Sequence, residues 1–262
     1  MIIAINGKIG SGKDTVGSII QFLVCKKQVD YKGNLLNPTL TFEQFLQPHR
    51  IFKKEWKVKK FADRLKDIVC LLTGCTREQL EDQEFKNREL GEEWKVSRLV
   101  LGSNYGVSYR YFNNLQEAKD SSNRCHNFEI NKVEEYVLTY RTLLQLLGTD
   151  CGRNIIHPNI WVNSLMNEYK KLFNPFSKTD SSGDYPNWII TDMRFPNEMK
   201  AVKDRNGISI RVKRPQLIPK DFEHESETAL NDALFDYEID NNGTIEELIE
   251  KVREILIKEK II

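Results

Sequence analysis

Long apolar runs are missing from this 262-residue chain. No stretch approaches the roughly 20 consecutive apolar residues of a membrane-spanning helix, so no membrane partner is expected. The opening MIIAINGK has too short an apolar run for a secretory signal and passes straight into glycines. A charge of one sign is also lacking. The 39 Lys and Arg nearly cancel the 38 Asp and Glu, leaving a formal net charge of +1. Bulk electrostatics therefore gives no case for nucleic acid as a partner. Cysteine is scarce and odd in number: Cys25, Cys70, Cys75, Cys125 and Cys151, with no CxxC pair. Free thiols in a reducing cytoplasm are the expectation, not a disulfide framework. Internal repeats are absent.

What is present fits a globular protein, with 40% hydrophobic and 29% charged residues. The length exceeds one minimal domain and falls short of two full ones. One core over residues 1–262, carrying insertions, is therefore expected.

Ile2 to Ile5 is a short apolar run that suits a buried parallel strand. A glycine-rich segment follows it, and then Val16, Ile19, Ile20, Leu23 and Val24 recur at helical spacing. The opening thus reads strand, loop, helix. Residues 27–55 read as a loop-rich insertion, and Lys57 to Phe61 as a second strand. Leu65, Ile68, Val69 and Leu72 form a helical stripe that Gly74 can end. Residues 75–135 are polar and irregular and read as the main insertion. Leu143, Leu144, Leu146 and Leu147 mark a helix closed by Gly148, and Pro158 suits the first turn of the next. Ser177 to Gly183 reads as a loop. Trp188 to Thr191 reads as a buried strand ending at Asp192. Pro196 opens a helix that stops at Asn206-Gly207. Ile208, Ile210 and Val212 alternate as a strand, Tyr237 to Asp240 is a last strand, and Thr244 with Glu247 caps a terminal helix. Strands alternating with helices predict an α/β fold with a mostly parallel sheet. Ligands then bind beyond the carboxyl ends of the strands.

The segment starting at Gly7, GKIGSGKD, fits GxxxxGK with Asp14 where Ser or Thr is usual, and Thr15 one place later. Glycines let backbone N–H groups turn inward around a β-phosphate, and the following helix N-terminus adds a favourable dipole. Gly7, Lys8, Gly10, Ser11, Gly12, Lys13, Asp14 and Thr15 are the expected nucleotide contacts. Lys13 can bridge the β- and γ-phosphates as charge develops. Asp14 can hold Mg²⁺ through a water, or Thr15 can bind a phosphate. A switch GTPase would show NKxD, and none is present. A motor ATPase would usually end its second strand in an acidic pair, where this chain has Asp192-Met-Arg194.

The ordered set of segments is similar to the phage-type deoxynucleoside monophosphate kinases. It comprises SGKDT in the loop, FADRLK at 61–66, LQLLGTDCGR at 144–153 with Trp161, TDMRFPNE at 191–198, RVKRP at 211–215, HESE at 224–227 and IDNNG at 239–243. The resemblance spans most of the chain and is weak across 27–55 and 75–135. It implies a nucleoside-monophosphate-kinase-like fold, ATP with Mg²⁺, and a nucleoside monophosphate acceptor. The deoxyribose preference comes from the resemblance alone.

Arg141 and Gln145 lie at i and i+4, so they share a helix face opposite the leucines. Arg can fork onto a phosphate and Gln can pair with a base edge. Asp63 and Lys66 sit just past the second strand, and Asp150 and Arg153 flank Gly152 in an expected loop; with Trp161 they complete the acceptor set. Asp192 occupies the strand-end position of a carboxylate linked to Mg²⁺. Arg194 can neutralise the transferring phosphoryl group or form a salt bridge to Glu198, and Arg153 is a second catalytic cation. Residues 214–235 suit a lid, with Arg211 and Arg214 as its cations. His224 is expected to be structural. Asn242, in the turn after the last strand, resembles a loop residue near adenine.

The expected reaction is ATP + dNMP giving ADP + dNDP in the cytoplasm, the host's if the chain is phage-encoded, with small nucleotides as partners and a homodimer possible. The rivals are a kinase for another phosphorylated acceptor, such as dephospho-coenzyme A or phosphomevalonate, and a nucleotide-dependent regulatory protein without kinase activity.

Overall fold

The computed structural model describes residues 1–48, 52, 55–103, 106–125, 128, 130–172, 184–214 and 228–262. In chain order the elements begin with β1 (Ile2–Asn6), α1 (Lys13–Lys26), α2 (Phe42–Leu46), β2 (Trp56–Lys59) and α3 (Asp63–Thr73). They continue with α4 (Gln83–Lys86), β3 (Lys95–Ser103), β4 (Gly106–Phe112), α5 (Leu115–Ser122), β5 (Ile130–Val137) and α6 (Tyr140–Gln145). A π-helical stretch runs over Leu146–Ile156. Then come α7 (Ile160–Met166), β6 (Asn187–Ile190), α8 (Pro196–Lys203), β7 (Ile208–Lys213), β8 (Tyr237–Asp240) and α9 (Ile245–Lys258). These form two compact units: Met1–Asp63 with Asn159–Ile262, and Arg64–Pro158. No helix among the described residues is long and apolar enough to cross a membrane.

The first unit is built on a five-stranded sheet in the order β2-β6-β1-β7-β8, with every neighbouring pair parallel. β1 is central because Ile2, Ile3, Ala4 and Ile5 are all fully buried, as a strand covered on both faces requires. Ile3 and Ile5 face Ile19, Ile20 and Leu23 of α1 and Leu248 and Val252 of α9. Ile2 and Ala4 face Val162 and Leu165 of α7 and Ala201 and Val202 of α8. The unit therefore has three layers, helices on both faces of a parallel α/β sheet. Truncating any of these buried branched side chains would cost about 2–5 kcal/mol. β6 and β7 lie on opposite sides of β1, and at such a reversal the strand ends open a crevice. The loop after β1 starts there.

The turn at 27–41 folds back through Asp30, whose Oδ1 accepts the N–H groups of Lys32 and Asn34. The expected loop-rich segment also contains α2, opened by a reciprocal capping box between Thr41 and Gln44.

The second unit holds most of 75–135, which is not irregular as expected. It carries an antiparallel sheet in the order β4-β3-β5. Leu99 and Leu101 of β3 are buried on one face, as is Ala118 of α5. The other face carries Arg98, which is ion-paired to Glu134 at 2.7 Å and lies over the Tyr109 and Tyr136 rings. A capping box at Thr139 and Thr142 starts α6.

Two local expectations fail here. The helix through Leu143 does not close at Gly148 but runs on into the π-helical stretch. Gly148 is buried, and a Cβ on it would meet Leu65 Cδ2 at 2.8 Å. The glycine serves close packing, not helix termination. Asp150 and Arg153 consequently lie on this wound stretch and not in a loop. The expected loop at 177–183, His224, and 215–227 of the expected lid fall outside the described residues.

Candidate active site

The loop after β1 has the backbone that its glycines require. Gly10 has φ 77° and Gly12 φ 94°, both in the left-handed region that L side chains rarely adopt. A Cβ on Gly12 would also meet Asn241 Nδ2 at 2.4 Å. That amide donates to Ser11 O at 2.8 Å, so the turn after β8 braces the loop from the far edge of the sheet. Asn241 is thus the residue of that turn in contact with the loop, while Asn242 is exposed. Lys13 opens α1, placing an ammonium at the positive end of the helix dipole.

One polar atom in the loop stands out. The Ser11 hydroxyl is buried and has no hydrogen-bond partner among the described residues. Burying an unsatisfied hydroxyl costs about 1–3 kcal/mol, and a phosphate oxygen is the kind of acceptor that would relieve it. Together with the left-handed glycines and the start of α1, this loop fits the phosphates of a nucleotide.

Asp14 points at the ends of the neighbouring strands. Its Oδ1 accepts from Thr191 Oγ1 at 2.8 Å and lies 3.2 Å from Lys60 Nζ. Partial burial alone would raise its pKa. The Lys60 charge, the Thr191 hydroxyl and the Lys13 charge outweigh that and hold the carboxyl below its ordinary value. Its side chain is still 61% exposed. Asp14 is therefore an ionised, accessible carboxylate beside the phosphate loop. Among the described residues no three His, Cys, Asp or Glu gather to hold a metal. A lone carboxylate of this kind suits Mg²⁺, which keeps several waters and takes other ligands from substrate phosphates.

Asp192, the other expected metal-side carboxylate, has two backbone partners. Its Oδ1 accepts the Phe61 N–H at 2.8 Å and its Oδ2 the Ala62 N–H at 3.0 Å. Both oxygens fasten the corner after β2. Burial pushes its pKa up, overriding those two bonds and the charges of Arg194 and Lys60. Nearby, Glu198 Oε2 accepts the backbone N–H groups of Arg194 and Phe195 at 2.7 and 3.1 Å. Glu198 is buried and caps α8; through these bonds it holds the Arg194 backbone. Asn6 Nδ2 donates to Met193 O at 2.9 Å, tying the end of β1 to the same segment.

Several expected contacts have structural partners. Asp63 Oδ2 accepts the Lys60 N–H at 3.0 Å, bracing the start of α3. Lys66 is paired with Glu81 at 2.5 Å. Trp161 is buried at 6% exposure in the first unit. Arg211 donates to the carbonyls of Asn231 and Leu230 and lies over the Phe235 ring, so it anchors 230–235. Arg214 is exposed. In the second unit Arg141 is held by two neutral oxygens: Nε donates to Asn87 Oδ1 at 2.7 Å and Nη2 to Gln83 Oε1 at 3.0 Å. These bonds fix the guanidinium without cancelling its charge.

Sequence reasoning passed over Lys60, Thr191 and Asn241. Lys60 and Thr191 immediately follow β2 and β6, and adjacent parallel strands bring such ends together. That was the signal available. Asn241 was quoted inside a motif, but its reach across the sheet had no local sign.

The profile of a family described as Deoxynucleotide monophosphate kinase matches residues 1–252. The chain belongs to this family. It is 22% identical over 262 aligned residues to the Deoxynucleoside-5'-monophosphate kinase of Escherichia phage T5, covering 92% of this chain and 89% of that protein. It is 33% identical over 127 residues to the Deoxynucleotide monophosphate kinase of Enterobacteria phage T4, covering 48% of each chain. A Putative deoxynucleotide monophosphate kinase of Acanthamoeba polyphaga mimivirus is 32% identical over 124 residues, covering 44% of this chain and 59% of the relative. The family match spans the phosphate loop, Asp14, Asp192 and α6 alike.

Proposed function

We propose that this chain transfers the γ-phosphoryl group of ATP to the phosphate of a deoxynucleoside monophosphate, giving ADP and dNDP. The observation that carries the reading is the family match over residues 1–252, which includes a loop built to hold phosphates. Kinase membership makes ATP the donor.

The chain's own residues divide the work. The Gly7–Thr15 loop binds the donor phosphates through backbone N–H groups, and the Ser11 hydroxyl gains an acceptor. Lys13 counters charge on the β- and γ-phosphates. Asp14 is the metal-side carboxylate, kept ionised by Lys60 and Thr191. Mg²⁺, when bound, supplies neutralisation of the phosphate charge that develops during transfer. Asp192 acts as a positioning residue: it holds the Phe61–Ala62 corner and thereby the Lys60 end of β2. Arg194 and Arg153 are the candidate cations for the transferring group, and Arg214 and Asn242 remain candidate donor-nucleotide contacts. Arg141 grips the acceptor phosphate and Gln145 reads its base, with Asp63, Lys66, Asp150 and Trp161 in supporting roles. An ionised phosphate acceptor needs no base, so no histidine is assigned one. The partners are small nucleotides, and the phage relatives support the host cytoplasm as the place of action.

The test is a coupled ADP assay against all deoxy- and ribonucleoside monophosphates, dephospho-coenzyme A and phosphomevalonate. ADP formation that depends on a deoxynucleoside monophosphate is expected. Slow hydrolysis unaffected by any acceptor would overturn the reading, and stimulation by another acceptor alone would redirect it.

A further inference from the structure

The second unit contains a feature that phosphoryl transfer does not use. Cys70 and Cys75 place their sulfurs 3.9 Å apart. Local helix chemistry brings them together. α3 ends at Thr73, and Gly74 follows in the left-handed region at φ 73°. The Gly74 N–H donates to Cys70 O at 2.8 Å, the single bond of a left-handed helix cap. In such a cap the residue after the glycine turns back over the last helical turn, so Cys75 lies against Cys70. Thr73 Oγ1 donates to Val69 O at 2.8 Å and lies 3.2 Å from the Cys75 sulfur, flanking that side chain. Apolar pairs are the usual occupants of these two positions; this chain has two thiols.

We propose that Cys70 and Cys75 form an oxidisable dithiol that a peroxide converts to an intramolecular disulfide. In the first step the Cys75 thiol takes oxygen from hydrogen peroxide, giving a sulfenic acid and one water. In the second, the Cys70 sulfur attacks the Cys75 sulfur and the hydroxyl leaves as a second water. Two thiols lose two electrons and two protons, and peroxide is reduced to two waters. Burial pushes the Cys70 thiol up, which slows its own reaction with peroxide. Both thiols are only half-buried, so a small peroxide reaches them. A disulfide needs the sulfurs at about 2 Å. Cys75 lies beyond the helix end, so rotation about its own χ1 can close the gap while α3 stays wound.

The position gives the bond a consequence. Cys70, Cys75, Phe85, Tyr140 and Leu144 all pack on the buried cluster of Val69, Leu80, Leu138 and Leu143. Tyr140 and Leu144 belong to α6, the helix of Arg141 and Gln145. Moving the two sulfurs therefore disturbs the packing under that helix. This second step rests on the acceptor role proposed for α6.

The experiment treats the full chain with hydrogen peroxide, blocks remaining thiols with iodoacetamide, and maps tryptic peptides. Lys66 and Arg77 bound one peptide that contains both cysteines. That peptide should appear unalkylated and lighter by two hydrogens, and dithiothreitol before alkylation should restore two alkyl groups. Cys75→Ser and Cys70→Ser should each abolish the form lighter by two hydrogens. A doubly alkylated peptide after peroxide, while exposed Cys151 is oxidised, would overturn the proposal, as would separate over-oxidation of the two sulfurs. Acceptor KM in the oxidised protein should rise by roughly fivefold or more, the range of ordinary coupling between sites, with ATP binding unchanged and the rise absent in Cys75→Ser. A disulfide with unaltered acceptor KM would leave the modification site standing and remove its coupling to α6. No acceptor-dependent ADP in the reduced protein would instead fault the kinase reading.

Discussion

The parallel-sheet unit and the Arg64–Pro158 unit treat their charged side chains differently. In the first, Asp14 is set by Lys60 and Thr191, and Asp192 by two backbone N–H groups. Each carboxylate is held by donors, and what distinguishes them is exposure: Asp14 faces solvent while the oxygens of Asp192 fasten a corner. In the second unit Lys66 meets a carboxylate, whereas among the described residues Arg141 meets amide oxygens. An ion-paired cation must first give up its partner to bind an anion. A cation oriented by neutral amides keeps its full charge for a phosphate while being held rigidly. The contrast ranks residues that looked equivalent as letters.

The largest effect expected from that ranking belongs to Lys13. Lys13→Ala should lower turnover by at least about a hundredfold, the scale of removing one electrostatic stabiliser of the transition state. Circular dichroism should show an unchanged fold. A folded variant with near-normal turnover would falsify the phosphate-loop assignment.

Next comes the contrast between Arg141 and Lys66. Arg141→Ala should lose roughly 2–4 kcal/mol in kcat/KM with every acceptor, leaving ATP binding unmoved. Lys66→Ala should lose clearly less, because Glu81 already neutralises it. Gln145→Ala should reorder the bases more than it slows the best one. Steady-state kinetics across the acceptor panel decides the matter; equal losses for Arg141→Ala and Lys66→Ala would erase the distinction between paired and amide-held cations.

The two carboxylates sharpen the comparison inside the first unit. Asp14→Asn should raise the Mg²⁺ concentration needed for half-maximal rate. Asp192→Asn turns one acceptor into a donor facing the Phe61 or Ala62 N–H, so it should cost about 1–3 kcal/mol of stability with little change in Mg²⁺ demand. Thermal melts and Mg²⁺ titrations of both variants read this directly. The pH dependence has a definite sign. Asp14's folded pKa is below its ordinary 3.8. Its pair with Lys60 therefore contributes fully above that ordinary value and fades as pH falls through the lowered folded one. The stability difference between the parent and Lys60→Met should shrink only in that acid range.

The smallest effect lies at the far edge of the sheet. Tyr237 donates its hydroxyl to Glu259, and that bond, with burial, pushes its pKa up to about 12. Its contribution is complete below the ordinary value of 10.0 and is lost as pH rises through about 12. Tyr237→Phe should lower Tm slightly at neutral pH, and the difference should vanish in strong alkali.

The phosphate loop, its flanking strand and helix, and the strands at 188–191, 208–212 and 237–240 were legible because each depends on neighbours in sequence. Buried parallel strands are short apolar runs, and the glycine pattern is set by backbone sterics alone. The sheet of the second unit was hidden. Its strands carry Arg98, Tyr109, Lys132 and Glu134 on one face, and cross-strand pairs such as Arg98 with Glu134, 36 residues apart, stabilise it. No local period reports a pairing of that range.

The sequence by itself therefore determined the family, the phosphate loop and the order of the elements of the parallel-sheet unit, since these follow from motif spacing and local periodicity. Tertiary structure alone decided that Lys60 and Thr191 converge on Asp14, that Asp192 fastens a corner, that Gly148 makes room for Leu65, and that Asn241 braces the loop. Each of those contacts joins residues far apart in the chain. Their geometry comes from strand order and close packing, which no local pattern of residues encodes.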